Sequence, residues 1–252
     1  MIPLKTPAEL EVMQENGGIL ATVLEGVKLL ANPGVTTFEL DRFAEEAIRK
    51  AGAIPAFKGY RGYPSTLCCS VNEEVVHGFP SKKRKLQDGD IISLDIGLKR
   101  GGLYSDMAVT VPIGATTDAV KRFLEISEKS LWEGIKNAVP GNRLGDISHA
   151  IQAYVEHRGF SVVREYVGHG IGHRLHEEPA LPNFGPPHVG PRLEVGMVLA
   201  IEPMVNMGAY AVRVLDDGWT VVTEDGSLSA HFEHSVAVTS DGPRVLTNLP
   251  VR

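Results

Sequence analysis

Two short echoes within the sequence constrain this chain more than any other feature. Glu25-Gly26-Val27-Lys28 returns as Glu133-Gly134-Ile135-Lys136, and Pro33-Gly34 returns as Pro140-Gly141. At the second offset Glu39-Leu40 meets Asp146-Ile147, Ile48 meets Val155, and Gly52 meets Gly159. The elements around these echoes also repeat in order. Thr6-Pro7-Ala8-Glu9 reads as a capped helix start with a capping box, and the helix runs to about Ala31. A second helix starts at Thr36 and ends at Gly52, with Leu40, Phe43, Ala44, Ala47 and Ile48 on one face. Leu67–Val71, Ile91–Leu98 and Leu103–Val111 then read as strands. Helices return from about Thr117 to Pro140 and from Leu144 to Arg158. Strand candidates follow at Val162–Tyr166, Met197–Met204, Ala211–Leu215, Trp219–Thr223 and Phe232–Thr239, with Pro179–Pro191 as a loop. The identity between halves is thin, so chance is the competing reading. The matching order favours a duplicated α/β (α+β) unit, with halves of about 1–113 and 114–252 in one domain sharing a central sheet. A site between the halves would draw residues from both.

Composition narrows the classes. The chain has 252 residues, 43% hydrophobic and 22% charged, with a net charge of −6. That is an ordinary globular profile, and the acidic balance argues against a dedicated nucleic-acid binder. The one basic run, Lys82-Lys83-Arg84-Lys85, reads first as a solvated loop and second as a contact for a polyanionic surface such as the ribosome. Cys68 and Cys69 are adjacent, which gives neither a metal-ligand spacing nor a disulfide framework and fits a reducing compartment. No signal peptide is evident and no apolar run is long enough for a membrane span, so a cytoplasmic protein is expected.

The polar residues inside apolar strands carry the chemistry. Asp95 and Asp106 flank the turn sequence Lys99-Arg100-Gly101-Gly102. A turn centred between Arg100 and Gly101 predicts a register that sets Asp95 directly opposite Asp106, about 4.5–5.5 Å apart at Cβ. Two opposed carboxylates need a shared proton or a cation between them. Glu202, at the end of Val198-Leu199-Ala200-Ile201, and Glu233, ahead of another apolar strand, are two more acids that are unfavourable to bury unpaired. Gly168-His169-Gly170-Ile171-Gly172-His173 is too glycine-rich for a helix, so His169 and His173 are not a helical zinc pair. The glycines suit close approach to a ligand. A phosphate loop is the competing reading, but the Lys-Ser/Thr ending of a P-loop is missing. His77 is a lone histidine after a strand. Four carboxylates with one or two histidines suit Mn²⁺, Fe²⁺ or Co²⁺, and two ions suit four acids better than one.

Taken together these residues resemble the methionine aminopeptidases, type I in particular. The resemblance rests on Ser70-Val71-Asn72-Glu73, His77-Gly78-Phe79-Pro80, Asp88-Gly89-Asp90, Leu94-Asp95-Ile96-Gly97, Ser105-Asp106, Gly168-His169-Gly170-Ile171-Gly172, His176-Glu177-Glu178-Pro179, Ile201-Glu202-Pro203 and Glu233-His234, covering nearly the whole chain. It implies the pita-bread fold, with two pseudo-two-fold helix-helix-strand units around a curved, mainly antiparallel sheet. It implies removal of the N-terminal methionine from nascent proteins and peptides that carry a small second residue, by a metal-bridging water or hydroxide. The implied metal ligands are Asp95, Asp106, His169, Glu202 and Glu233, holding two divalent ions of cobalt, manganese or iron(II), with zinc as a further candidate. Glu202 would also take the water's proton, His176 would bind the scissile carbonyl or its oxyanion, and His77 would serve the leaving nitrogen.

Phe57, Tyr60, Tyr63, Cys68, Leu175 and Trp219 match the family's methionine pocket, and His77 and His176 contact substrate. Phe57 and Leu175 depart from the commonest residues there, Cys and Phe. The resemblance also implies a short form without an N-terminal zinc-binding extension. A monomer is expected, since no feature demands more. The nearest rival is a proline-directed enzyme of the aminopeptidase P or prolidase kind. The rival of a different class is a non-catalytic binding protein on the same fold. A Gly-x-Ser-x-Gly hydrolase elbow is absent.

Overall fold

The computed structural model describes residues 2–249. Met1 and residues 250–252, which close the expected single domain, lie outside the described residues. Four helices carry the outer layer: α1 (Pro7–Leu30), α2 (Thr37–Lys50), α3 (Asp118–Lys136) and α4 (Leu144–Glu156). The capping box at Thr6 and Glu9 forms as the sequence predicts, with the Thr6 N–H donating to Glu9 at 2.7 Å. The echoing positions fold alike. The Thr36 N–H donates to Glu39 and the Arg143 N–H to Asp146, at 2.8 and 2.7 Å. Thr36 bridges to Lys85 and Arg143 to Arg192 in the same antiparallel sense.

The central sheet runs Ile54–Pro55, Ile91–Arg100, Leu103–Pro112, Glu233–Thr239, Val198–Ile201, Gly168–Gly170, Glu177–Leu181, with Leu67–Val71 beside Ile91–Arg100 and Gly242–Val245 beside Glu233–Thr239. Every pairing in it is antiparallel. The two halves meet where Leu103–Pro112 pairs with Glu233–Thr239. Two three-stranded sheets flank it, one built on Met204–Asn206 and one on Val221–Thr223.

Strand periodicity separates core from site. In Ile91–Arg100 the residues Ile92, Leu94, Ile96 and Leu98 join the core beneath α1 and α2. Ser93, Asp95 and Gly97 point the other way. In Leu103–Pro112 the core takes Met107, Val109 and Val111, leaving Asp106, Ala108 and Thr110 on the opposite face. Leu199, Ile201, Val236 and Val238 play the same part beneath α3 and α4. One face of the sheet is therefore apolar and helix-covered, and the other is free to hold acids.

Several local expectations are corrected. The hairpin turn centres on Gly101-Gly102, which pairs Arg100 with Leu103. Both central residues have positive φ, 60° and 81°, as this type of tight turn requires, and two glycines meet that demand where Arg100 would not. The register moves accordingly. Asp95 faces Ala108 and Asp106 faces Gly97, so the aspartates are diagonal on one face and not directly opposed. Val162–Tyr166 shortens to Ser161–Val162, and Met197–Met204 divides at Pro203, which has no N–H to give to a ladder. The expected loop from Pro179 loses its first residues to the strand Glu177–Leu181. The glycine-rich stretch forms the strand Gly168–Gly170, because a Cβ at Gly168 or Gly170 would meet the carbonyls of Ala200 and Glu178 at 2.4 and 2.2 Å. The strand expected just before His77 is Glu74–Val76, whereas Ile54–Pro55, Ser229–His231 and Gly242–Val245 had no sequence expectation.

Candidate metal centre

The site lies in two adjacent rows across the open face of the sheet. One row runs Cys68, Asp95, Ala108, Glu233. The next runs Gly97 and Asp106 on one side of the seam and Ser235, Ala200 and His169 on the other. The seam is tied at this level, where the Ser235 hydroxyl donates to the Asp106 carbonyl at 2.9 Å and accepts from its N–H at 3.1 Å. In the first row Ala108 separates Asp95 from Glu233, and in the second Ser235 and Ala200 separate Asp106 from His169. Gly97, Ala108, Ala200 and Ser235 thereby leave room above the sheet for something held between the acids.

Asp106, His169 and Glu233 are buried, and one ligand atom from each lies within 4.8 Å of the others. Asp95 and Glu202 border the same space and open on the cleft. Asp95 Oδ1, Asp106 Oδ1 and Glu233 Oε1 are buried without a hydrogen-bond partner. Buried carboxylates left this way push each other's protons on. Burial first, then the charges of Asp95 and Glu202, hold Asp106 well above the usual carboxylate range. Burial, then Asp106, Glu202 and Asp95, do the same to Glu233. Asp95 and Glu202 are each pushed up to about 7, chiefly by burial.

The histidines fit a cation in the same gap. His169 Nδ1 lies 2.9 Å from the Gly170 carbonyl, so it carries the proton and leaves the Nε2 lone pair free. That Nε2 lies 3.4 Å from Glu202 Oε1. Two acceptors this close need a cation between them. Oxygen-rich carboxylates plus one imidazole are the donor set of Mn²⁺, Fe²⁺ or Co²⁺. The residues present therefore fit a divalent metal centre. His173, by contrast, pairs with Glu9 at 2.9 Å on the surface and is not part of the site.

The carboxylates form part of the lining of a cavity of about 210 Å³. It is smaller than the roughly 300–1,000 Å³ of drug-sized sites and suits a single side chain. Phe57, Tyr60, Tyr63, Cys68, Leu175 and Trp219 all line it, as do His77 and His176. Tyr63 packs edge-on to Trp219 with centroids 5.2 Å apart, and its hydroxyl lies 2.9 Å from the Leu67 carbonyl. His77 meets Trp219 edge-on at 6.0 Å, and burial pushes its pKa down to about 4. His176 stands at the mouth with its ring 4.2 Å from that of His169 and its Nδ1 2.8 Å from the Tyr60 hydroxyl. Desolvation, followed by the charges of His169, Arg61 and His77, pushes its pKa down to about 3, so it is neutral at pH 7.

The cleft also holds residues the sequence reading passed over: Arg61, Val76, Tyr166, Val167, Met204 and His231. His231 had a usable signal. It lies two residues before Glu233, a spacing that returns to the same face of an extended segment. Arg61, Tyr166 and Val167 come from irregular segments and Val76 from an edge strand, while Met204 opens the central strand of its small sheet.

Comparison with known proteins agrees with this geometry. Residues 11–240 match metallopeptidase family M24. Methionine aminopeptidase 1 of Bacillus subtilis is 56% identical over 249 residues, covering 99% of this chain and 100% of that protein. The crystal structure of methionine aminopeptidase from Thermotoga maritima superposes with a TM-score of 0.97 at 48% identity, covering 98% of this chain and 100% of that one. Prolidase from Pyrococcus furiosus shares the fold, with a TM-score of 0.80 at 20% identity, and this chain spans 66% of its length. The architecture is the pita-bread fold expected from the sequence. On these grounds the chain belongs to metallopeptidase family M24.

Proposed function

We propose that this protein removes the N-terminal methionine from peptides and nascent proteins whose second residue is small. The observation that carries the reading is the set of unpartnered carboxylate oxygens on Asp95, Asp106 and Glu233, beside the lone pair of His169 and on the wall of an aromatic-lined cavity sized for one side chain. Two divalent ions per chain, of cobalt, manganese, iron(II) or zinc, fit that many acids. Asp95, Asp106, His169, Glu202 and Glu233 would hold them. When bound, the metal supplies a water of lowered pKa and polarises the scissile carbonyl.

The chain's own groups do the rest. Phe57, Tyr60, Tyr63, Cys68, Leu175 and Trp219 enclose the methionine side chain, and a bulky Phe57 offsets a smaller Leu175. Glu202 would accept the proton of the attacking water at its carboxylate and pass it on. His176 is neutral, and its Nδ1 faces the Tyr60 hydroxyl, so the ring can donate from Nε2 toward a developing oxyanion. His77, which meets Trp219 edge-on in the cleft wall, would serve the nitrogen of the leaving peptide.

The exposed run Lys82–Lys85 is a candidate contact for the ribosome surface. If charge reversal of these residues leaves ribosome co-sedimentation unchanged, that contact is refuted. No helix among the described residues is long and apolar enough to cross a membrane. A monomer working in the cytoplasm suits this reading.

The test is release of free methionine from a Met-Ala-Ser peptide by metal-stripped protein, before and after Co²⁺ or Mn²⁺ is added, with an X-Pro peptide alongside. Metal-dependent cleavage of the methionine peptide alone is expected. Cleavage of the X-Pro peptide alone would move the activity to the proline-directed branch. Cleavage of neither, with metal bound, would favour a non-catalytic binding protein.

A further inference from the structure

Glu202 stands between two histidines that differ in chemistry. Its Oε1 faces His169 Nε2, where both atoms are acceptors and a cation is needed. Its Oε2 faces His231 Nε2 at 3.6 Å. His231 is 2% exposed, and neither ring nitrogen has a partner. A buried imidazole with two idle nitrogens is unfavourable unless one of them serves a neighbour.

The backbone of His231 is held with unusual firmness. The Thr110 hydroxyl accepts from the His231 N–H at 2.8 Å and donates to its carbonyl at 2.9 Å. Thr110 is itself joined to Ser93 by a hydroxyl–hydroxyl contact of 2.8 Å. Both lie on the site face of the central hairpin and face each other in its register. On its other side His231 pairs with Met204, just beyond Glu202 along the chain. The imidazole is therefore aimed at the Glu202 carboxylate from a fixed base.

We propose that His231 is a positioning residue for Glu202: its Nε2–H binds Oε2, so that only Oε1 is presented to the metal. A shift of about 0.6 Å brings the contact to hydrogen-bonding distance. Glu202 is then held one-handed, with Oε1 aimed at the His169 side of the centre. This inference rests on the metal reading above. Partners of this kind fix the geometry of metal-binding carboxylates, and their loss typically costs about 10- to 100-fold in affinity or activity.

The test titrates metal-stripped native protein, His231→Leu and His231→Gln with Co²⁺, following heat and the visible absorption of bound cobalt. His231→Leu is expected to bind about 10- to 100-fold more weakly, with a shifted cobalt band. His231→Gln, whose amide N–H can reach the same oxygen, is expected to recover most of the affinity and the native band. Melting of the metal-free proteins checks that each is folded, and His231→Met replaces His231→Leu if the latter does not fold. Native affinity and spectrum in His231→Leu overturn the inference while leaving the metal reading intact. Equal losses in His231→Leu and His231→Gln also overturn it, because shape and not the donor would then matter. Native protein that binds no Co²⁺ overturns the metal reading and this inference together.

Discussion

Glu177 and Glu233 are both acids with enclosed side chains in the second half, and the fold treats them in opposite ways. Glu177 receives the Lys5 ammonium at 2.5 Å, with both side chains at most 5% exposed, and it also accepts from the Arg174 N–H at 3.0 Å. Asp41 is similarly provided for, with the N–H groups of Thr66 and Leu67 at 2.8 and 2.9 Å. Glu233 Oε1 has nothing, and neither have Asp106 Oδ1 and Asp95 Oδ1. Where an acid serves the fold, a cation or backbone donor of the chain meets it. Where acids stand unmet and together, their partner comes from outside the chain.

The comparison breaks most visibly if the unmet acids are removed. Asp106→Ala or Glu233→Ala should abolish metal binding and methionine release together, a loss of more than about a thousandfold. The metal-free variants should be at least as stable as the native protein, because the cost of burying an unpartnered carboxyl group has gone. Normal turnover in either variant would refute the dinuclear assignment.

At the met acid the expectation reverses. Lys5→Ala strands Glu177 and should cost about 3–5 kcal/mol of stability, read from denaturant unfolding. Lys5→Met combined with Glu177→Leu, which removes both charges, should cost much less. Equal losses in the two proteins would show that packing and not charge holds this corner.

His176 neighbours Glu177 in sequence but works in the cleft. His176→Ala should lower kcat by about 10²- to 10³-fold, as for loss of one oxyanion donor, with metal affinity unchanged. A wild-type kcat would remove it from the mechanism.

The smallest effect is on pH. Asp95 and Glu202 are pushed up to about 7, and burial also raises Asp106 and Glu233 well above the usual carboxylate range, so the folded protein keeps protons that the unfolded chain has lost above about pH 4. Metal-free stability therefore falls as pH rises through that range. The histidines act in the opposite sense. His77 and His234 at about 4 and His176 at about 3 favour the folded state as pH rises, but only up to about 6.5. Between about pH 6.5 and 8.5 only the acids remain, and metal-free stability should drop by up to about 1.4 kcal/mol per pH unit for each acid still titrating. Bound metal should remove the drop. Thermal melts at both pH values, with and without Mn²⁺, read this directly.

Most of the fold was legible because its signals are local. A capping box placed the start of the first helix, apolar faces and glycine stops placed the others, and apolar runs placed the long strands of the hairpin. The hairpin register was not legible to within one pair, because Lys99-Arg100-Gly101-Gly102 offers two possible turn centres and only the φ demand of the turn decides between them. Gly168–Gly170 was hidden because its glycines answer to neighbouring carbonyls, a constraint with no trace in periodicity. The acids in apolar strands and His169 among glycines stood out as anomalies, whereas His176 and the pocket residues came from the family resemblance, and all of them line one cleft. His231 did not stand out, since one histidine beside an aromatic residue looks like core until Glu202 is seen facing it.

The account turns on whether metal is the missing partner of the unmet acids. Calorimetric titration of metal-stripped protein with Co²⁺, native beside Glu233→Ala, counts the ions directly. The account predicts two ions per native chain and loss of tight binding in the variant. Native-like binding by Glu233→Ala, or a native chain that takes up none, would contradict it.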